Sequence, residues 1–231
     1  MTEKQSLLAR KKSKIVLLLI NPIFNYITWK EEPNIYYYSL NELIVDRREK
    51  LMAWKEQKSD DLISFIEKLN NSEIANNEKL KQILEIQASK LIFINYPRSK
   101  ENLQELEKWI RFADQSPPVL LLVNFTEKTE KIFVELKNAS IVCPLCEKSW
   151  KKESTIQDGN FLCPLDKITF SQKEVEEFTE WLLDDHVKKS VEIVEYGKKN
   201  KYKIFQRELS LPTDFESEIL QKSLQEQINK I

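Results

Sequence analysis

IVLLLI, at residues 15–20, is a continuous run of six apolar residues, and two similar runs follow it along the chain, LIFINY at 91–96 and VLLLVNF at 119–125. Short uninterrupted apolar runs are typical of strands that are buried on both faces of a parallel sheet. Helical patterns separate the three runs. Strands that alternate with helices of this length predict an α/β fold with a doubly wound, mainly parallel sheet.

The segments between the runs carry the periodicity of helices. Two or three polar-rich helical stretches lie between residues 41 and 89. A further helix is expected after Pro97, because four apolar residues share one of its faces, namely Leu103, Leu106, Ile110 and Ala113. Residues 174–196 predict a helix in which Gly197 is the C-terminal cap.

The C-terminal part predicts one more strand and one more helix. YKIF at residues 202–205 is the expected last strand. Thr213 and Glu216 have the spacing of a capping box, which predicts the start of a final helix. Its apolar face consists of Phe215, Ile219, Leu220, Leu224 and Ile228.

The composition of the chain argues against several classes of function. The 231 residues include 36 Lys or Arg and 37 Asp or Glu, which gives a formal net charge of −1. This balance argues against a nucleic-acid partner. No apolar run approaches the ~18 residues of a spanning helix, so no membrane insertion is expected. Glycine occurs 2 times, where an average usage of ~7% would supply about 16, and a glycine-rich phosphate loop is therefore disfavoured.

All three cysteines lie in residues 140–172, a stretch with little periodicity that interrupts the α/β alternation. Cys143 and Cys146 are followed, after sixteen residues, by Cys163 and Asp166, so two ligand pairs share the same short spacing. The pairs read CPLC and CPLD, and this repeat favours Asp166 as the fourth ligand. Three thiolates and one carboxylate around one ion suit a structural zinc.

Other interpretations of the cysteines stay open at this point. They could be three half-buried side chains without a metal, a redox C-x-x-C pair, or iron–sulfur ligands. A redox pair usually opens a helix beside a strand, and an iron–sulfur cluster normally takes four thiolates. The odd, clustered cysteines favour a reducing compartment over a secreted disulfide framework. His186, the sole histidine, is expected on the solvated surface.

The order of strand, helix-rich segment, LIFINYPRSKEN, strand, cysteine pairs and helix resembles adenylate kinase, specifically the long form whose LID subdomain holds zinc. The likeness begins near Lys14 and covers nearly the whole chain. YPRSKEN, at residues 96–102, resembles the D-G-F-P-R-T-x-x-Q segment of the family's AMP site. SLNELI, at residues 39–44, resembles the S-T-G-D-L-L segment that opens its AMP-binding helices.

The resemblance implies a division of the chain and a set of binding residues. The expected parts are an N-terminal tail at 1–13, a P-loop kinase-like core at 14–139 and 173–231, and a zinc-binding LID-like insertion at 140–172. Residual nucleotide contacts are expected at Arg98, Asn102 and Ser39, and the zinc ligands at Cys143, Cys146, Cys163 and Asp166.

The family's phosphate loop, G-x-P-G-x-G-K-G-T, falls on INPIFNYIT at residues 20–28. Its glycine positions hold Ile20, Ile23, Asn25 and Ile27, and Tyr26 stands at the position of its lysine. Backbone amides approach a triphosphate only where side chains are absent, and the lysine supplies charge to the phosphates. The loop is therefore expected to be unable to hold ATP.

The family's other charged positions are replaced as well. Its arginines fall on or near Val45, Ser140, Ile141, Lys173 and Asp184, and the carboxylate that helps to organise magnesium falls on Ile94. Phosphoryl transfer depends on positioning and charge stabilisation, and one arginine can be worth ~10³ to 10⁵ in rate. Phosphotransferase activity is therefore not expected, and no catalytic residue is assigned.

These features predict a catalytically inactive adenylate kinase-like protein that serves as a structural or docking subunit of a larger assembly, with other protein subunits as its partners. The alternative is a nucleotide-binding protein, or an atypical nucleoside monophosphate kinase with a non-standard phosphate site. Kinase-like domains of this kind resemble parts of ciliary axonemes and of mitochondrial complexes. An intracellular location in one of these is expected, and the sequence does not distinguish between them.

Overall fold

In the computed structural model, the described residues are 12–24, 27, 29, 32–39, 44, 46–57, 61–74, 78–125, 130–209 and 217–231. The central sheet consists of β1 (Lys14–Leu19), β2 (Ile35–Ser39), β3 (Lys90–Ile94), β4 (Val119–Phe125) and β10 (Lys203–Leu209). The strand order is β10–β4–β1–β3–β2, and each neighbouring pair is parallel. The predicted α/β class with a parallel sheet is confirmed.

Helices flank the sheet. They are α1 (Arg47–Gln57), α2 (Leu62–Ile74), α3 (Glu78–Leu84), α4 (Lys100–Phe112), α5 (Glu130–Ala139), α7 (Gln172–Lys199) and α8 (Ser217–Asn229). A short 3-10 helix, Pro22–Phe24, follows β1. Within the described part of the chain, no helix is both long and apolar enough to cross a bilayer.

The central strands form because their side chains are buried on both faces of the sheet. In β1, alternate residues belong to two different core clusters: Ile15, Leu17 and Leu19 in one, Val16 and Leu18 in the other. A strand of this kind cannot present a polar face, which explains its uninterrupted apolar sequence.

The insertion is built from small antiparallel pieces. They are β5 (Ser140–Val142), β6 (Ser149–Lys151), a one-turn helix α6 (Lys152–Thr155), β7 (Ile156–Gln157), β8 (Asn160–Leu162) and β9 (Thr169–Ser171). β5 pairs with β6, and β8 lies between β7 and β9. The apolar side chains of the insertion share one cluster with residues of α1, α2 and α7, so the insertion packs against these helices.

Three expectations about local structure differ from the fold. β2 was not predicted, and its tyrosines form an edge strand. Gly197 does not cap a helix: α7 continues to Lys199 and is capped by Asn200, while Gly197 is buried inside it against Leu120. In α8, Leu220, Leu224 and Ile228 are buried as expected, whereas Ile219 is exposed. The capping box at Thr213 and Glu216, and Phe215, lie outside the described residues.

Candidate functional site: a four-ligand centre beside a filled phosphate-loop position

The first ligand pair lies in a tight turn after β5. The N–H of Cys143 donates to the carbonyl of Lys148 at 3.0 Å, and the N–H of Glu147 donates to the carbonyl of Cys143 at 2.8 Å. Glu147 has a φ of 52°, the left-handed conformation that lets the backbone reverse. The turn thereby directs both cysteine side chains to its inner side.

The second pair repeats this geometry after β8. The N–H of Cys163 donates to the carbonyl of Ile168 at 3.0 Å, and the N–H of Lys167 donates to the carbonyl of Cys163 at 2.9 Å. Lys167 has a φ of 56°. The repeat of CPLC and CPLD is thus also a repeat of backbone shape, and Asp166 occupies in the second turn the place that Cys146 has in the first.

The two turns bring the four predicted ligands together. Cys143, Cys146, Cys163 and Asp166 offer ligand atoms that all lie within 4.8 Å of one another. The Sγ atoms of Cys146 and Cys163 are 3.7 Å apart, and Asp166 Oδ2 is 3.3 Å from Cys163 Sγ. Thiolates bound at ~2.3 Å to a common tetrahedral ion would be about 3.8 Å apart. The site therefore fits one small metal ion.

The environment opposes negative charge at Cys143 and Asp166, whereas hydrogen bonds from Cys143 and Cys146 hold the pKa of the Cys163 thiol well below its usual range. Burial raises the pKa of the Cys143 thiol well above its usual range. The pKa of Asp166 is raised, first by burial and then by its contact with Cys163. A divalent cation reverses this balance, because its own charge holds coordinating thiols in the deprotonated form.

Arg47, at the start of α1, forms hydrogen bonds to the backbone of the first turn. Its Nε donates to the carbonyl of Leu145 at 2.9 Å, and its Nη2 donates to the carbonyl of Pro144 at 3.0 Å. Nη1 donates to Asn70 Oδ1 of α2 at 2.9 Å. Burial lowers the pKa of Arg47, and the nearby Glu147 opposes that shift.

Glu147 joins Arg47 to Arg98. Its Oε1 accepts from Arg47 Nη2 at 3.0 Å, and its Oε2 accepts from Arg98 Nη2. The side chains of Arg47 and Glu147 are each 4% exposed, and that of Arg98 is 14% exposed. Among the described residues, Arg98 Nη1 is buried without a hydrogen-bond partner. We call Arg47, Glu147 and Arg98 the Glu147 clasp.

The segment at the family's phosphate-loop position is folded into the core. Pro22, Ile23, Phe24 and Ile27 are buried. Four N–H groups of the described part of this segment donate to acceptors within the protein. Ile20 donates to Asn95 Oδ1 at 2.9 Å, Ile23 to Asn21 Oδ1 at 3.0 Å, Phe24 to the Asn21 carbonyl at 3.0 Å, and Ile27 to the Phe24 carbonyl at 3.2 Å. Asn25, Tyr26 and Thr28 lie outside the described residues.

This segment is covered rather than open. The 3-10 helix contacts β5, β6 and α7. A cavity of about 10 Å³ remains beside it, with room for about one water molecule, and Pro22, Arg98, His186 and Ser190 are among its lining residues. The expectation that His186 is solvated is wrong: burial, and secondarily Arg98, lower its pKa to about 4.

A larger cleft of about 430 Å³ lies next to this cavity. Of the residues predicted to contact nucleotide, Arg98 and Asn102 line it, whereas Ser39, at the end of β2, is not among its described lining residues. Four carboxylates face the cleft, from Glu67, Glu101, Glu105 and Asp185, against two cationic groups, from Arg98 and Lys189. Arg98 already pairs with Glu147, so the lining is acidic.

Of the described positions that were matched to the family's other charged residues, only that of Lys173 holds a cationic side chain. Ser140 and Ile141 are buried in β5, and Ile94 is buried at the end of β3. Lys173 points to solvent and pairs with Glu177. Asp184 is exposed, and Val45 lies outside the described residues.

Three residues of this region were not predicted from the sequence: Arg47, Asn95 and Glu147. Glu147 directly follows Cys146, and Arg47 lies two residues beyond the position aligned with a family arginine. Their places beside a predicted ligand and near an aligned arginine are the only hints of these roles that the sequence gives. Their partners are up to 100 residues away in the chain, which the sequence pattern alone does not reveal.

The sequence of this chain is similar to part of a known protein. No family model matches the sequence. An adenylate kinase from Mycoplasma capricolum subsp. capricolum is 25% identical over 126 residues, which is 54% of this chain. The chain is similar to an adenylate kinase. The chain spans 58% of the length of that relative. With the five-stranded parallel sheet and the cysteine cluster in an insertion, the match supports an adenylate kinase-like protein.

Proposed function

We propose that this adenylate kinase-like protein has no phosphotransferase activity and serves as a zinc-stabilised structural or docking subunit of a larger assembly. The observation that carries the proposal is that backbone N–H groups of the segment after β1 are already hydrogen-bonded within the protein. Its N–H groups at Ile20, Ile23, Phe24 and Ile27 all have acceptors within the protein. A phosphate cradle needs successive N–H groups that face the ligand.

The surroundings of this segment support the same conclusion. In open parallel sheets, ligands bind in the crevice outside the carboxyl ends of the strands, where strand order reverses. Here that crevice lies after β1, which has β3 on one side and β4 on the other. Pro22, Ile23 and Phe24 fill it, and the β5–β6 hairpin packs over them. ATP binding there would require these contacts to be broken.

Isothermal titration with ATP, AMP and a bisubstrate analogue tests the lack of activity, together with a phosphotransfer assay. An active adenylate kinase serves as the positive control for both measurements. We expect no ATP or bisubstrate binding at micromolar concentration and no transfer. Micromolar binding with phosphotransfer would refute the proposal.

For the metal, we propose zinc. It takes four-coordinate thiolate-rich sites, tolerates one carboxylate, and has no geometric preference of its own. Binding can contribute ~10 kcal/mol or more to the folding of a small metal domain, so the ion would serve architecture. Elemental analysis of the purified chain should give one zinc per chain.

Two variants sharpen the metal test. Cys163→Ala should lose the zinc, because it removes a ligand that contacts both Cys146 and Asp166. Leu165→Ala is the matched control: it lies in the same turn, and its side chain is 58% exposed. Wild-type protein that contains no zinc, or a Cys163→Ala variant that retains it fully, would contradict the assignment.

A second candidate function is nucleotide binding without transfer. The observation that favours it is the cleft of about 430 Å³, which Arg98 and Asn102 line. The acidic lining disfavours a phosphate group there. AMP in the titration above separates the two functions: saturable AMP binding that Asn102→Ala weakens would support this candidate.

The docking role has its own test. The chain alone has a mass of 27.5 kDa. Gel filtration of a native extract, with cross-linking and mass spectrometry of the fractions, should place the chain in a larger complex of constant composition. Elution at the mass of a monomer would argue against the docking role.

A further inference from the structure

The Glu147 clasp connects three parts of the chain that are distant in sequence. Arg47 belongs to the start of α1, Arg98 follows β3, and Glu147 belongs to the metal-ligand turn of the insertion. Each carboxylate oxygen of Glu147 accepts from a different guanidinium. Two guanidiniums that converge on one carboxylate form a geometry that also suits other planar or tetrahedral oxyanions.

The clasp is buried, which makes its charge balance important. The side chains of Arg47 and Glu147 are each 4% exposed. Two cationic groups share one anionic group, and within the described part of the chain Arg98 Nη1 is buried without an acceptor. The acid nearby is Asp185, which faces Arg98 across the cleft lining. Without Glu147, the guanidiniums would lack the charge that compensates their burial.

The position of Glu147 is fixed by the turn that carries the ligands. Its N–H bonds to the Cys143 carbonyl, and it follows Cys146 directly. Arg47 in turn holds the carbonyls of Pro144 and Leu145 in the same turn. A change in this turn therefore moves the anion that Arg47 and Arg98 share.

We propose that Glu147 occupies, within the chain itself, an anion-binding position between Arg47 and Arg98, and that this contact holds the insertion closed over the segment after β1. While Glu147 is in place, an external oxyanion has no access to the two guanidiniums. The proposal does not depend on the proposed zinc, because the contacts of Glu147 with the two guanidiniums involve no side chain of the four metal ligands.

The test compares wild-type protein with Glu147→Ala and Glu147→Gln, and uses Glu153→Ala as the control. Glu153 is exposed in the same insertion. Amide exchange of residues 140–171 should become about a hundredfold faster in Glu147→Ala, because breaking a buried ion pair frees the insertion to open. Glu147→Gln keeps the size of the side chain and should show a smaller increase. Glu153→Ala should exchange like wild type.

A small anion should replace the missing carboxylate. Sodium formate, compared with sodium chloride at equal ionic strength, should raise the thermal midpoint of Glu147→Ala and slow its exchange towards wild type. Wild type and Glu153→Ala should respond equally to both salts. If Glu147→Ala does not fold, the same comparison is made with Glu147→Gly, which vacates the same space and suits the positive φ of 52° at this position, and whose midpoint formate should also raise. Glu147→Gln keeps that space filled, so formate should leave its midpoint unchanged.

Two results would overturn the clasp: exchange in both Glu147 variants within twofold of wild type, or formate acting equally on every variant. Zinc content is measured on each sample, because it reports on the proposed metal separately. Retained zinc with formate rescue supports both proposals. Absent zinc in wild-type protein, together with formate rescue, would refute the metal and leave the clasp supported.

Discussion

Replacing Arg47 by methionine removes a guanidinium and keeps an apolar stem of similar length. The side chain is 4% exposed, so its groups have little access to water. The change removes four hydrogen bonds, which run to the carbonyls of Leu145 and Pro144, to Asn70 Oδ1 and to Glu147 Oε1. It therefore tests whether α1 holds the ligand turn.

The magnitude follows from those four contacts. The two carbonyls and the Asn70 amide oxygen each lose a buried donor, at about 1 kcal/mol each. One-sided loss of a buried ion pair costs about 3–5 kcal/mol, and the lower end applies because Glu147 keeps its contact with Arg98. The two figures concern different contacts, so the ion pair alone gives a decrease of about 3 kcal/mol in the free energy of unfolding, and the sum with the three neutral acceptors gives about 6 kcal/mol.

Urea unfolding of the metal-loaded protein, followed by tryptophan fluorescence, measures this decrease. Arg48→Met is the matched control: its side chain is 54% exposed, and its Nη1 lies 4.0 Å from Asp166 Oδ1. That variant should lose less than about 1 kcal/mol. A loss below about 1 kcal/mol for Arg47→Met, or equal losses for both variants, would refute the reasoning.

Two further predictions concern α7. In Gly197→Ala, the new Cβ would lie 2.5 Å from Leu120 Cδ1, so the free energy of unfolding should fall by about 2–3 kcal/mol. In Gly159→Ala, the new Cβ meets no atom within 4 Å, so the free energy of unfolding should fall by only about 1 kcal/mol, from the positive φ alone. Equal losses in the two variants would contradict the packing argument. The single histidine resonance of His186 should titrate near its lowered pKa of about 4. The free energy of unfolding should rise as the pH increases from about 4 to 6.5, because the unfolded chain binds more protons than the folded chain in this range. A midpoint near 6.5 in an NMR titration would contradict this.

The central strands and the ligand turns could be predicted from the sequence for a clear physical reason. Strands buried on both faces are apolar along their buried positions, as at residues 15–19 of β1, 91–94 of β3 and 119–123 of β4. The two turns share a short motif because both have the same backbone geometry, with Glu147 and Lys167 in the left-handed region. In both cases the structure depends on residues that are close in sequence.

The strand β2 could not be predicted in the same way. It lies at the edge of the sheet and carries Tyr36, Tyr37 and Tyr38, of which Tyr36 is 43% exposed. An edge strand does not need apolar residues at every position, so its sequence lacks the continuous apolar run of the central strands. The burial of Gly197 inside α7 was not predicted, because the close approach of Leu120 depends on how α7 packs on the sheet.

The Glu147 clasp and the amide acceptor Asn95 depend on contacts between distant parts of the chain. Arg47 and Glu147 are 100 residues apart, and Ile20 and Asn95 are 75 residues apart. The sequence indicated that side chains would block the segment after β1. In the structure, Ile23, Phe24 and Ile27 of this segment are buried in the core, and the N–H groups of Ile20 and Ile23 have acceptors within the protein, which the sequence did not indicate.

We predict that the backbone amides of Ile20, Ile23, Phe24 and Ile27 are not available to a triphosphate, because each already has an acceptor within the protein. The decisive experiment is a titration of ¹⁵N-labelled protein with magnesium-ATP, followed at the amide resonances of Ile20, Ile23 and Phe24. We expect these three resonances to stay unchanged up to millimolar nucleotide. Saturable shifts of these resonances at micromolar ATP would contradict it.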